Sequence, residues 1–167
     1  METPLRSTPR LSGLSRYSLK QLITWGDHLR IDHPQIDVQH EAIFNVALEI
    51  ADISHAQGDS GQLRVLVEKL NKVLETHFDY EEQQLAKIGY AKLAQHKAEH
   101  TVMLDELQVI RERLNGFAGR PIQQGPGFLI MNFVLGVTVG HILDSDMEYG
   151  VFVHEMLNKS GAAWSAS

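Results

Sequence analysis

The chain has 167 residues, 43% hydrophobic and 22% charged, a balance that fits one soluble globular domain large enough to bury a core. A formal charge of −6 leaves no basic face to neutralise a run of phosphates, which argues against nucleic acid. The absence of cysteine excludes disulfides, thiolate metal sites and a cysteine nucleophile, while nine histidines in so short a chain raise a metal hypothesis.

Residues 1–21 are rich in Ser, Pro and Arg and hold no apolar run long enough for a secretory signal, so they read as a flexible extension. Strand signals are weak, and four segments carry the 3.6-residue period of amphipathic helices instead. The first opens at "DHP", where Pro34 suits the first helical position. Its apolar stripe is Ile36, His40, Ile43, Phe44, Ala47, Ile50 and Ala51. The second, ending near Gly89, reads Leu63, Leu66, Val67, Leu70, Leu74, His77, Phe78, Glu81 and Leu85. The third reads Leu93, His96, His100, Met103, Leu104, Leu107, Ile110 and Leu114, before a Gly/Pro-rich break, "NGFAGRPIQQGPG". The fourth is apolar on nearly every face; Ile130, Val134, Thr138, His141, Ser145, Tyr149 and Phe152 form one consistent line. Residues 127–143 are the membrane suspect, but they are short for a span and contain Asn132 and His141.

Four such helices with mostly short connections predict an all-α, antiparallel up-down-up-down four-helix bundle. It would cover residues 22–157, with an extended arm before it and a tail over 158–167. A single histidine on an apolar stripe is most often a hydrogen-bonded core residue. Five histidines and a glutamate on the inward faces of four helices are different. Unpaired, each would cost about 1–3 kcal/mol, and one shared metal satisfies them together. Their depths agree: with alternating helix direction, His40, His77, Glu81, His96, His100 and His141 converge at one end. His28, His33, His55 and His154 fall outside this set and read as surface or capping residues.

Four motifs then resemble the hemerythrin family: "IDVQHEAIF", "HFDYEEQQL", "GYAKLAQHKAEH" and "HILDSDMEY", with Trp25 upstream. The resemblance implies two iron ions joined by an oxo or hydroxo group. His96, His100 and His141 would bind one, His40 and His77 the other, and Glu81 and Asp146 would bridge them. Spacing alone favours Asp144, because His141 and Asp146 are i, i+5 and about 140° apart on an α-helix. Asp146 fits if the two side chains reach in from either edge of the stripe or if the helix is locally unwound. Asp144 and Glu82 read as solvated neighbours.

Five neutral ligands and two anions stabilise high-valent iron poorly, which favours reversible O2 binding over oxygen activation. The expected function is oxygen storage, delivery or supply to an oxygen-using partner, not enzymatic beyond a slow oxidase or peroxidase side activity. An O2, redox or NO sensor, or a peroxide- or NO-reducing enzyme, is the alternative. Ile43 and Phe78, one turn from the ligands, suit an apolar O2 pocket, though plain core packing explains either equally well. The family commonly has Trp-Leu where this chain has Val137-Thr138, so the resemblance would put the Thr138 hydroxyl in that pocket. The competing account is that Thr138 bonds its own i−4 carbonyl. Leu129, Phe133, Leu135 and Val151 are expected to form an oligomer contact or to pack under the N-terminal segment. A cytoplasmic location is expected.

One pentapeptide invites a separate reading. "HKAEH" (96–100) also fits the H-x-x-E-H pattern of zinc hydrolases, with Glu99 as base. Glu99 is expected to point off the ligand face, which leaves the hydrolase reading without its base.

Overall fold

The computed structural model describes residues 20–55, 59–116 and 126–160. A short 3-10 turn at Asp27–Leu29 precedes helices α1 (Pro34–His55), α2 (Ser60–Lys87) and α3 (Leu93–Asn115). The fourth rod has three parts: α4 (Pro126–Leu135), a π-helical stretch (Gly136–Asp146) and α5 (Met147–Ser160). Each rod packs on the next, and the fourth closes against α1, giving the antiparallel four-helix bundle that the stripes imply. The expected N-terminal extension and the Gly/Pro-rich break lie mostly outside the described residues. So does most of the expected tail, although α5 itself continues to Ser160.

Local chemistry sets the helix ends. Pro34 opens α1, and His33, buried just before it, accepts the Ile36 amide on Nδ1 at 3.3 Å. Asp59 caps α2 by accepting the Gly61 amide at 2.9 Å. Gly89, at φ 67°, takes the left-handed conformation that lets α2 stop and α3 begin four residues on. The arm before α1 is pinned as well. The Ile31 amide donates to Asp37 at 2.8 Å, and Ile31 lies so close to Gly150 that a Cβ there would stand 3.2 Å from Ile31 Cγ2.

The stripes are buried nearly as read, with Leu93, Leu104, Ser145 and Phe152 only half-buried. The core divides into two apolar bodies. The larger fills most of the bundle and reaches the polar residues at Ile43, Phe78, Met103 and Ile142. The smaller joins Ile31, Ile36, Leu85, Tyr90, Tyr149 and Val153. In α1 and α3 the polar inward residues fall between the two, while Phe78 and Ile142 of the larger body interleave with them in α2 and the fourth rod. The smaller body acts as an apolar plug over the end of the bundle.

The apolar surface anticipated on the last helix is largely core. Phe133 and Leu135 are buried and Leu129 half-buried, leaving Val151 exposed. Among the described residues one helix, Leu129–Met156, is long and apolar enough to cross a membrane, and 56% of its apolar stretch is buried inside the bundle.

Candidate metal centre

His40 comes from α1, His77 and Glu81 from α2, His96 and His100 from α3, and His141 and Asp146 from the π-helical stretch. All seven are between 0% and 4% exposed. Their ligating atoms form two overlapping groups, each within 4.8 Å: Glu81, His96, His100, His141 and Asp146 in one, His40, His77, Glu81 and Asp146 in the other. Both carboxylates belong to both groups, so they lie between the two sets of histidines.

Every histidine turns Nε2 toward the carboxylates. His40 Nε2 is 3.0 Å from Asp146 Oδ2, and His77 Nε2 is 3.6 Å from Glu81 Oε1 and 3.7 Å from Asp146 Oδ2. His96 Nε2 lies 2.8 Å from Glu81 Oε2 and 3.2 Å from Asp146 Oδ1. His100 Nε2 is 3.1 Å from Glu81 Oε2, His141 Nε2 is 3.0 Å from Asp146 Oδ1, and these two nitrogens are 3.0 Å from each other.

The π-helical stretch settles where Asp146 points. An α-helix turns His141 and Asp146 well apart, but a π-helix repeats its hydrogen bonds at i+5 and brings that spacing onto one face. Asp146 is fully buried, whereas Asp144 is exposed. Thr138 sits near the start of the stretch, buried, and its hydroxyl donates to the Val134 carbonyl at 2.8 Å. That hydroxyl is therefore turned to its own backbone.

Several atoms here have no ordinary hydrogen-bond partner. Among the described residues, His77 Nε2 and Asp146 Oδ1 are buried without one, despite the close neighbours just given. Among the described residues, Glu81 and Asp146 meet no lysine or arginine; their ionic partners are all histidines. Burial pushes both carboxyls up, and at Glu81 the charge of Asp146 adds to it, yet the surrounding imidazoles outweigh this and hold both below their ordinary range. Burial likewise pushes His96 and His141 down, but bonds and charge from Asp146 and Glu81 lift them to about 9 and about 10. Without metal, protons on these imidazoles balance the buried anions. Convergent imidazoles, shared carboxylates and atoms lacking hydrogen bonds fit a buried metal site.

A known family model covers most of the chain. The Hemerythrin HHE cation binding domain matches residues 33–151. The chain belongs to the hemerythrin family. It is 26% identical over 132 residues to a bacteriohemerythrin of Clostridium acetobutylicum, covering 77% of this chain and 98% of that one. It is 28% identical over 141 residues to a bacteriohemerythrin of Stenotrophomonas maltophilia, covering 83% and 86%. A myohemerythrin of Riftia pachyptila is 28% identical over 91 residues, covering 54% and 70%. No solved structure gives a significant match.

The residues around the hemerythrin-type cluster include some that the helical period misplaces. Glu82 is no solvated neighbour: it is half-buried and accepts from His100 Nδ1 at 2.9 Å. Glu99 is off the ligand face of its own helix, yet its carboxylate accepts from His141 Nδ1 at 3.1 Å and from the Ser145 hydroxyl at 2.7 Å. The His141 bond holds its pKa down at about 2. Both act across a helix interface, which no stripe along one helix can reveal. Gln39, beside His40 in sequence, meets His77 Nδ1 at 3.1 Å, and the Tyr149 hydroxyl donates to Glu81 Oε1.

Phe78 stacks on His100 at 3.8 Å between ring centres and 9° between planes, and meets His77 and His141 more obliquely. Trp25 sets its edge against His40 at 6.1 Å. Ile43 is fully buried. Of the remaining histidines, His33 is a buried cap, His28 is exposed, and exposed His154 pairs with Asp32 at 3.0 Å. The side chain of His55 lies outside the described residues.

Proposed function

We propose that this chain is a non-heme di-iron protein that binds O2 reversibly and serves oxygen storage, delivery or supply in the cytoplasm. The observation that carries the reading is the sharing of Glu81 and Asp146 between a three-histidine and a two-histidine group, all buried. His96, His100 and His141 would hold one iron, His40 and His77 the other, with the carboxylates across both. When bound, the iron pair supplies the electrons for reversible O2 binding.

The chain's own residues do the rest. The two-histidine half offers one ligand fewer, so an iron held there would keep a position for a small molecule on the side of His40 and His77. Phe78, Ile43 and Trp25 wall the ligands with apolar surface and keep water scarce, and the plug of Ile36, Leu85, Tyr149 and Val153 closes the far side. Thr138 belongs to the same wall; with its proton committed to Val134, it presents its methyl more readily than a donor. Tyr149 holds Glu81 in place through its hydroxyl. The five imidazoles are neutral ligands and the two carboxylates the only anions among the donors, which suits reversible binding better than oxidation of a substrate.

The test is iron content followed by an anaerobic visible spectrum before and after air. A pair of irons per chain and a ligand-to-iron band that grows in air and fades on oxygen removal would support the reading. One zinc and no colour would end it, and sustained turnover of peroxide or nitric oxide with a reductant would replace it with an enzyme.

A further inference from the structure

We propose that the two halves of the site fill with metal in order, the His96/His100/His141 half first, and that Glu82 and Glu99 set this order as positioning residues. The inference rests on the metal-centre reading above.

Donor number gives the first asymmetry: five side chains converge on the three-histidine half and four on the other. The outer ring nitrogens give the second. A ligating imidazole whose Nδ1–H is held by a carboxylate is fixed in the tautomer that offers Nε2 to the metal, and it becomes a stronger donor. On the three-histidine half, Glu82 holds His100 and Glu99 holds His141, at 2.9 and 3.1 Å. Both carboxylates are themselves anchored. The Ser145 hydroxyl and the Gln95 amide donate to Glu99, and Lys97 Nζ lies 3.1 Å from Glu82.

The other half has weaker support. The partner of His77 Nδ1 is the neutral amide oxygen of Gln39 at 3.1 Å, which orients the ring without adding charge. His40 Nδ1 is buried with no hydrogen-bond partner among the described residues. His100 and His141 are thus aimed and polarised in advance, while His40 depends on its contact with Asp146. A first metal at the five-donor position would also fix Glu81 and Asp146, whose remaining oxygens then complete the second position.

The experiment titrates the full-length, metal-free protein with cobalt(II), following heat and the visible cobalt bands, with metal-free melting temperatures as a check on folding. Wild type should show a tight step followed by a weaker one. E82Q and E99Q, which keep an acceptor oxygen and lose the charge, should each weaken the first step by about 10–100-fold and the second much less. Q39E should tighten the second step alone. Two indistinguishable steps in wild type, or variants that weaken both steps equally, would overturn the ordering. A wild-type protein that takes up neither cobalt nor iron would overturn the metal-centre reading itself.

Discussion

Tyr149 is fully buried, and its hydroxyl proton goes to Glu81, a carboxylate with no lysine or arginine near it among the described residues. Tyr149→Phe leaves the ring packing against Tyr90 and His96 but removes that donor. Leaving a buried acceptor short of a bond costs about 1–3 kcal/mol, so the unfolding free energy of the metal-free variant, measured by urea titration, should fall by that much. Thr138→Val is the contrasting case. It keeps the shape and removes the bond to the Val134 carbonyl, an expected loss of about 1 kcal/mol. If the Thr138 hydroxyl instead fed protons to bound oxygen, the variant would lengthen the lifetime of the oxygenated form. With the hydroxyl turned to its backbone, no lengthening is expected, and spectral decay in air measures it.

At the scale of the helix, the π-helical stretch decides which aspartate serves the site. Asp146→Asn should cut metal content, because it removes an oxygen donor that both groups share, while Asp144→Asn on the exposed face should leave it unchanged. Metal analysis of the two purified variants distinguishes the cases. The bundle and most of the cluster were legible because α1, α2 and α3 are regular: a 3.6-residue period puts His40, His77, Glu81, His96 and His100 on buried stripes. The period fails at residue 136, where the helix widens, so spacing misplaced Asp144 and Asp146 relative to one another and only the family motif pointed to Asp146. Glu82 and Glu99 were illegible for another reason. Each lies on the flank of its helix and finds its histidine on a neighbour, and sequence period describes one helix at a time. The one available signal was Glu99 standing next to a ligand histidine in "HKAEH", which suggested a base when its partner was another imidazole.

For the whole molecule, the buried charges make stability depend on both pH and metal. In the metal-free protein His96 and His141 bind their protons more tightly than the ordinary value of 6.5, near about 9 and about 10, because buried Asp146 and Glu81 outweigh burial itself. Their contribution is complete below about pH 6.5 and is lost as pH rises through about 9 to 10. Glu81 and Asp146 act in the opposite sense. With values held below 4.5 and 3.8, they contribute above that range and lose the contribution as pH falls below it. The metal-free melting temperature should therefore fall between about pH 7 and about pH 10. The metal-loaded protein, whose imidazoles would hold metal in place of protons, should lack that decline. Thermal scans with and without a chelator across this range give the comparison. At neutral pH the loaded form should melt higher, since a ligand that binds only the folded state at 100 times its Kd adds about 2.7 kcal/mol.

His40 and Asp146 touch across 106 positions of sequence. A chain with no cysteine cannot tie its first helix to its last by a covalent bond. A coordinated metal would supply that tie, closing a loop of nearly the whole domain and drawing α2 and α3 into the same knot. Closing a long loop costs the unfolded chain more entropy than closing a short one, though the cost grows slowly with length. The site is thus the clasp of the bundle, and losing the π-helical stretch of the fourth rod would open it on both halves at once.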